Sequence, residues 1–313
     1  MSRSRRSRIE VNAMERRVTA LIDTLRDSGD PVQFGLASRL WCCQQQREER
    51  RRGIRDRVDR PCRQVACESC RRRLSRAWRE RAEDQMRDAD NAHSSMVTIV
   101  LERVGDWSAV RNAVLRFRTA LRNLRDRKAR TNAQWRTLAV VGMTELDMLA
   151  VEDVPLLPPL RRMVIEALPA CSYGGGMALI VHVHLAVSHP GLPLHAVERA
   201  FREQWDGVGR VDVRSFHDDA AAPENAGAII AYATKQQMTI KLDGNVDTSN
   251  AEVFVAIEVE VPVEWQASYW GWLHGLGAGL APLRVRMSAM RDTVAEEPAV
   301  VDVEPMPALW TYR

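Results

Sequence analysis

Residues 178–187 read Ala-Leu-Ile-Val-His-Val-His-Leu-Ala-Val, and this stretch decides the fold. Ten residues without glycine or proline, eight aliphatic or β-branched and two histidines, predict a buried strand. Side chains alternate along a strand, so Ile180, His182, His184 and Ala186 share one face, while Leu179, Val181, Val183 and Leu185 share the other and pack on helices. Alternate residues lie about 6.6 Å apart, close enough for two imidazoles to converge on one ion. Inside so apolar a strand an imidazole needs a hydrogen-bond or metal partner. A lone buried histidine is ordinarily a satisfied core residue; two at this spacing point to a ligand pair.

Upstream, 94–101 and 136–146 read as further strands, the second ending at Glu145 and Asp147. Glu145 is a candidate third ligand, although position alone favours a strand-end carboxylate in water. Between the two strands, 109–130 has helical spacing, with Val110, Val114, Leu115, Phe117, Leu121 and Leu124 apolar and a densely basic opposite side. Residues 149–176 interrupt the strand order: Pro155, Pro158 and Pro159 frame a short helix over 160–168, and Gly174, Gly175 and Gly176 lead into the histidine strand.

Downstream the pattern predicts a helix over 194–205, a strand over 210–216 and a mostly apolar helix over 226–237. In that last helix Tyr232 and Lys235 are three apart and share a face. Lys235 is one of three lysines, with Lys128 and Lys241, against 42 arginines. Read alone, Tyr232 is a core aromatic with a satisfied hydroxyl. A strand over 253–261, a Trp-rich helix or loop over 263–274 and a loose acidic, proline-containing tail over 286–313 complete the chain. The expected fold class is therefore α+β, a central, mainly antiparallel sheet with flanking helices and the Tyr232 helix close to its histidine face.

The composition is that of a globular protein, 45% hydrophobic and 27% charged over 313 residues. The Arg-rich N-terminus is followed by no apolar segment, and the run 177–187 is too short to span a bilayer, so the reading is cytoplasmic, with no membrane partner. The net charge of +4 hides a division: residues 1–136 carry 33 Lys and Arg against 18 Asp and Glu, the remainder 12 against 23. Such asymmetry points to a polyanionic partner for the first part, nucleic acid above all. No G-x-x-x-x-G-K-[ST] is present, which excludes a P-loop motor within this chain.

Five of the six cysteines, Cys42, Cys43, Cys62, Cys67 and Cys70, fall within 29 residues; Cys171 stands apart. Clustered thiols in a reducing compartment suggest metal before disulfides. Cys67 and Cys70 have the spacing of a zinc knuckle, and Cys62 with either Cys42 or Cys43 would complete a tetrahedral structural zinc site. Arg63, Arg71, Arg72 and Arg73 flank it, Arg76 follows on a basic helix, and these are candidate phosphate contacts. The expected organisation is a basic arm and helix (1–40), an Arg-rich Cys cluster (41–90), a domain bearing the histidine strand (91–285, with 149–176 inserted) and the tail (286–313).

In their order, Cys62-Arg-x-x-x-Cys67-Glu-x-Cys70-Arg, Met96-Val-Thr-Ile-Val100, Gly142-Met-Thr-Glu145, His182-Val-His184 and Tyr232-Ala-Thr-Lys235 resemble the HUH endonucleases. More narrowly, they resemble the rolling-circle replication initiators of bacterial plasmids. The resemblance spans roughly residues 60–285. It implies an HUH nuclease fold, with His182, His184 and Glu145 holding Mg²⁺ or Mn²⁺ and Tyr232, assisted by Lys235, as the nucleophile. It implies nicking and rejoining of single-stranded origin DNA through a 5′-phosphotyrosine that leaves a 3′-hydroxyl primer, with host helicase and polymerase as partners. The inserted 149–176, an Ala at position 228 where paired-tyrosine relatives carry a second Tyr, and the lack of a helicase region are departures. A rolling-circle transposase would share every motif. A non-catalytic zinc-stabilised DNA-binding regulator would leave Tyr232 in the core, and a 2-His-1-carboxylate iron oxygenase would have no use for the basic half.

Overall fold

The computed structural model describes residues 8–54, 61–169, 176–235, 238–246, 253–277 and 280–289. The arm at 1–7, Cys171, Gly174, Gly175 and the tail from 290 lie outside the described residues. The chain divides into two units, Met1–Leu74 with Val261–Gly279, and Ser75–Glu260 with Leu280–Arg313.

The first unit is helical. Helix α1 (Arg8–Asp27) buries Leu21, Ile22 and Leu25. A turn with Gly29 at φ 73° leads to α2 (Pro31–Arg51), which runs unbroken across residue 40. Asp30 caps α2 by accepting from the Val32 amide at 2.8 Å, and Pro31 stands where its missing N–H costs nothing. Helix α3 (Glu68–Gln85) has its first turns in this unit and its remainder in the second. The Trp-rich segment is a helix, numbered α8 below (Val263–Gly275), and it packs on α1 and α2 with Tyr269, Trp270 and Leu273 buried.

The second unit is built on a five-stranded antiparallel sheet of order β4-β1-β3-β2-β7, from β1 (Ser94–Val104), β2 (Ala139–Ala150), β3 (Met177–Ser188), β4 (Val211–Ser215) and β7 (Arg284–Met287). The histidine strand β3 is central, with β1 and β2 on either side. Helix α4 (Trp107–Ala129) packs on β1 and β3, burying Val110, Val114, Phe117, Leu121 and Leu124. Leu115, expected among them, is 44% exposed because it sits beside the stripe. Asp106 caps α4 through the Ala109 amide at 2.8 Å, and Arg127 and Lys128 suit its C-terminal turn.

Helices α5 (Pro159–Ala167) and α6 (Leu194–Gln204) follow the expected order, and α7 (Ala222–Ala233) crosses β3 and β2. Helix α7 stops at Ala233 rather than at 237. Its cap Thr234 turns its hydroxyl back to the Ile230 carbonyl at 2.7 Å and meets Ser75 at 2.6 Å, which closes the helix before Lys235. A separate hairpin, β5 (Thr239–Val246) with β6 (Val253–Glu260), follows. Strands β5 and β7 were not predicted, and β2 continues four residues past Leu146.

Candidate functional site

Antiparallel register builds the first site. Glu145 lies opposite His182 in the β2–β3 ladder, and Thr98 opposite His184 in the β1–β3 ladder. Cross-strand partners project to the same face, so three strands deliver Thr98, Glu145, Asp147, His182 and His184 to one side of the sheet. Oε2 of Glu145 lies 3.2 Å from Nε2 of His182 and 3.1 Å from Nε2 of His184. Glu145 is 5% exposed and stands inside β2, which corrects the expectation of a strand-end carboxylate in water.

Each ring has a polar neighbour behind it. Nδ1 of His184 lies 3.0 Å from the Thr98 hydroxyl, and Nδ1 of His182 lies 3.6 Å from Oδ2 of Asp147. Nη2 of Arg161, on α5, sits 2.5 Å from that same Asp147 oxygen. Burial works against the Glu145 charge, yet the hydrogen bonds from the two histidines outweigh it and bring its pKa down to about 2. Burial likewise disfavours the His182 imidazolium, but Asp147 and then Glu145 raise its pKa above the ordinary value. A carboxylate facing two imidazole nitrogens is a donor set that could hold a metal ion.

The last turn of α7 brings Tyr232 to this face. Its ring meets His184 edge-on, with centroids 5.4 Å apart and planes at 86°. It is 46% exposed, so Tyr232 is not the core aromatic it resembles in isolation. Burial, then the Glu145 and Asp147 carboxylates, push its phenol above the usual pKa, while Arg161 works the other way. Nζ of Lys235 lies 5.8 Å from the Tyr232 ring centroid although Lys235 has left the helix.

The second site lies in the helical unit. Cys43 of α2, Cys62 of the following loop, Cys67 just before α3 and Cys70 in its first turn gather with all four sulfurs within 4.8 Å of one another. Cys62–Cys70 is 3.5 Å and Cys43–Cys70 4.0 Å. Four thiolates at about 2.3 Å from a tetrahedral ion would stand about 3.8 Å apart, so the cluster fits one. The two candidates left open by spacing resolve here: Cys43 faces the cluster, and Cys42, on another side of α2, accepts a contact from Gln46 at 3.5 Å.

Hydrogen bonds from Cys62, Cys67 and Cys70 pull the Cys43 thiol far down. Cys70, opposed by Cys43 but helped by Cys62 and Cys67, falls to about 6. Arg47, one turn beyond Cys43, places Nη2 3.8 Å from the Cys70 sulfur. Burial works against its charge, and its hydrogen bond to Cys43 more than offsets that.

The arginines expected on phosphate are placed differently from one another. Arg71 donates to the Val65 carbonyl at 3.3 Å and lies 5.4 Å over the Trp270 ring, which makes it part of the packing. Arg72 pairs with Glu68. Arg63 occupies a left-handed turn at φ 55° inside the Cys loop. Arg73 and Arg76 face solvent. Thr98, Asp147, Arg161 and Arg47 escaped assignment from sequence. The spacing Glu145-x-Asp147 matches His182-x-His184 and carries a signal for Asp147; nothing local marks Arg161 or Arg47.

Among the described residues no helix is long and apolar enough to cross a membrane. No family model, no curated protein and no solved structure matches the chain.

Proposed function

We propose that this chain is a metal-dependent DNA-nicking and strand-transfer enzyme of the HUH type, acting as a rolling-circle replication initiator. The observation that carries the reading is the exposed Tyr232 ring, edge-on to His184 beside a buried Glu145–His182–His184 group. A half-exposed phenol in contact with a cation-shaped acidic site is an odd expense for a structural protein and a sensible one for phosphoryl transfer.

Glu145, His182 and His184 would hold the divalent ion. The resemblance implies Mg²⁺ or Mn²⁺ at this site, and four thiols at these spacings suit zinc in the Cys43–Cys62–Cys67–Cys70 cluster, where it would be structural. When bound, the divalent ion supplies charge neutralisation for the non-bridging phosphate oxygens.

Tyr232 then attacks the phosphorus of a single-stranded phosphodiester. The new bond joins the phenolic oxygen to phosphorus, and the bond to the 3′ oxygen breaks. The electron pair leaves on that oxygen, which takes up a proton, while the phenolic proton passes to solvent. The product is a 5′-phosphotyrosine and a free 3′-hydroxyl, and attack by a 3′-hydroxyl reverses the step without ATP. Arg161 works toward the ionised phenol, Lys235 stands 5.8 Å from the ring centroid as the cation the resemblance implies would assist, and the carboxylates that raise the phenol's pKa would be neutralised by the bound cation. The exposed Arg73 and Arg76, with the basic N-terminal part, would hold DNA.

The deciding experiment compares the protein with Tyr232→Phe on single-stranded oligonucleotides with Mn²⁺. Loss of both nicking and the covalent adduct, with DNA and Mn²⁺ binding kept, supports the assignment. Nicking that survives in the variant removes Tyr232 from the chemistry.

A further inference from the structure

The segment 149–176, an interruption by sequence, forms a 3-10 turn (Val151–Leu156) and α5. Its described residues pack against the domain: Val154, Leu157, Val164, Ile165 and Leu168 are buried, and Arg162 ties α5 back to the Pro155 carbonyl at 3.0 Å. From α5, Arg161 reaches the sheet and pairs with Asp147. Asp147 stands two residues from Glu145 on the same face of β2, yet it is turned toward the back of the His182 ring.

We infer that the inserted helix α5 is a working part of the metal site: Arg161 is a positioning residue that holds Asp147 behind His182, so that the ring presents Nε2 to the ion. The inference rests on the reading of Glu145, His182 and His184 as a metal centre. An imidazole that ligates through Nε2 must carry its proton on Nδ1, and a carboxylate facing Nδ1 selects that tautomer and makes the other nitrogen a better donor. Without Arg161, the Asp147 carboxylate, 24% exposed, would lose its ion pair to α5 and would follow solvent or the ion itself. Arg161 thus separates two neighbouring carboxylates by role, one for the ion and one for the ring. Among the described residues His184 has no such carboxylate behind it; its Nδ1 meets the neutral Thr98 hydroxyl. The two histidines are therefore unequal ligands, and the stronger one depends on a residue supplied by the insertion.

The experiment reads Mn²⁺ affinity directly, by electron paramagnetic resonance of free Mn²⁺, in the full chain and with melting curves as a check on folding. Asp147→Asn should weaken binding about 10–100-fold, the usual consequence of losing an outer-sphere carboxylate. Arg161→Ala should weaken it less, and Arg161→Lys should recover part of that loss. The double variant should bind no worse than Asp147→Asn alone, because Arg161 acts through Asp147. Thr98→Val, acting on the other ring, should add to Asp147→Asn. Affinity unchanged in Asp147→Asn while Glu145→Gln loses the ion, or additive losses for Arg161→Ala and Asp147→Asn, would overturn the inference and leave the metal centre standing. A wild-type chain that takes up no Mn²⁺ would overturn both.

Discussion

Glu145 and His182 face each other across the β2–β3 ladder, and one carboxylate oxygen of Glu145 lies within 3.2 Å of ring nitrogens from both His182 and His184. A single carboxylate oxygen thus contacts both rings, and on the proposed reading the same oxygen would meet the cation. Replacing this residue therefore tests stability and binding together.

Glu145→Gln keeps the shape and removes the charge. Mn²⁺ affinity should fall by more than the roughly 10–100-fold expected for an outer-sphere loss. The metal-free variant should also be destabilised near neutral pH by about 3 kcal/mol, since the carboxyl pKa drops from 4.5 to about 2 on folding. A depressed carboxylate stabilises the fold fully above its unfolded pKa, near 4.5, and loses that contribution as pH falls through about 2. Metal-free wild type and variant should therefore differ in denaturant midpoint at pH 7 and converge in strong acid. A constant difference across that range would assign the effect to packing.

Gly142 lies opposite Leu185 in the β2–β3 ladder, three residues before Glu145. A methyl group built there would meet the His184 carbonyl oxygen and come within 2.5 Å of Leu185 Cδ2. Backbone cannot step aside as a flexible side chain does, so β3 must shift where it carries His184. Gly142→Ala should cost about 1–3 kcal/mol and weaken Mn²⁺ binding although it touches no ligand. Urea unfolding and metal titration of the same sample check both; lost stability with intact affinity would show that β3 absorbs the strain away from His184.

Much of this arrangement is legible in residue order because strands and their ladders obey short rules. The period of two in 178–187 placed His182 and His184 on one face, and the helical spacing of 109–130 picked out most of the side that α4 buries. The mainly antiparallel α+β architecture follows from such patterns. What escaped depends on distance along the chain. Nothing near Arg161 reveals that a segment 14 residues from Asp147 folds back onto it. Strand β7, four residues long, is too short for a period to emerge and exists through its pairing with β2. The choice between Cys42 and Cys43 needs the rotation of α2, which adjacent identical residues do not encode.

The four gathered thiols predict one tightly held zinc per chain, retained in Cys42→Ser and lost in Cys43→Ser. Structural zinc in such sites contributes an apparent 10–16 kcal/mol, roughly, near neutral pH, which is folding free energy. Cys43→Ser should therefore lower the melting temperature and loosen the packing of Tyr269 and Trp270, read by near-ultraviolet circular dichroism. Elemental analysis gives the stoichiometry. Zinc retained in Cys43→Ser, or lost in Cys42→Ser, would reverse the assignment of the fourth ligand.

The arginines of α3 separate by what they already touch. Arg71 is committed to the Val65 carbonyl and the Trp270 ring, so Arg71→Ala should act on stability, lowering the melting temperature. Arg73 and Arg76 project into solvent, where a guanidinium meets phosphate without losing an internal partner. If they contact single-stranded DNA, each contact releases condensed counterions, and the slope of log affinity against log salt should become shallower by about 0.7 for each side chain removed. Fluorescence anisotropy with a labelled oligonucleotide across a salt series measures that slope. Arg73→Ala with Arg76→Ala should change it by about 1.4 while leaving the melting temperature in place. A slope that stays at its wild-type value would move the DNA-binding surface off this face of α3.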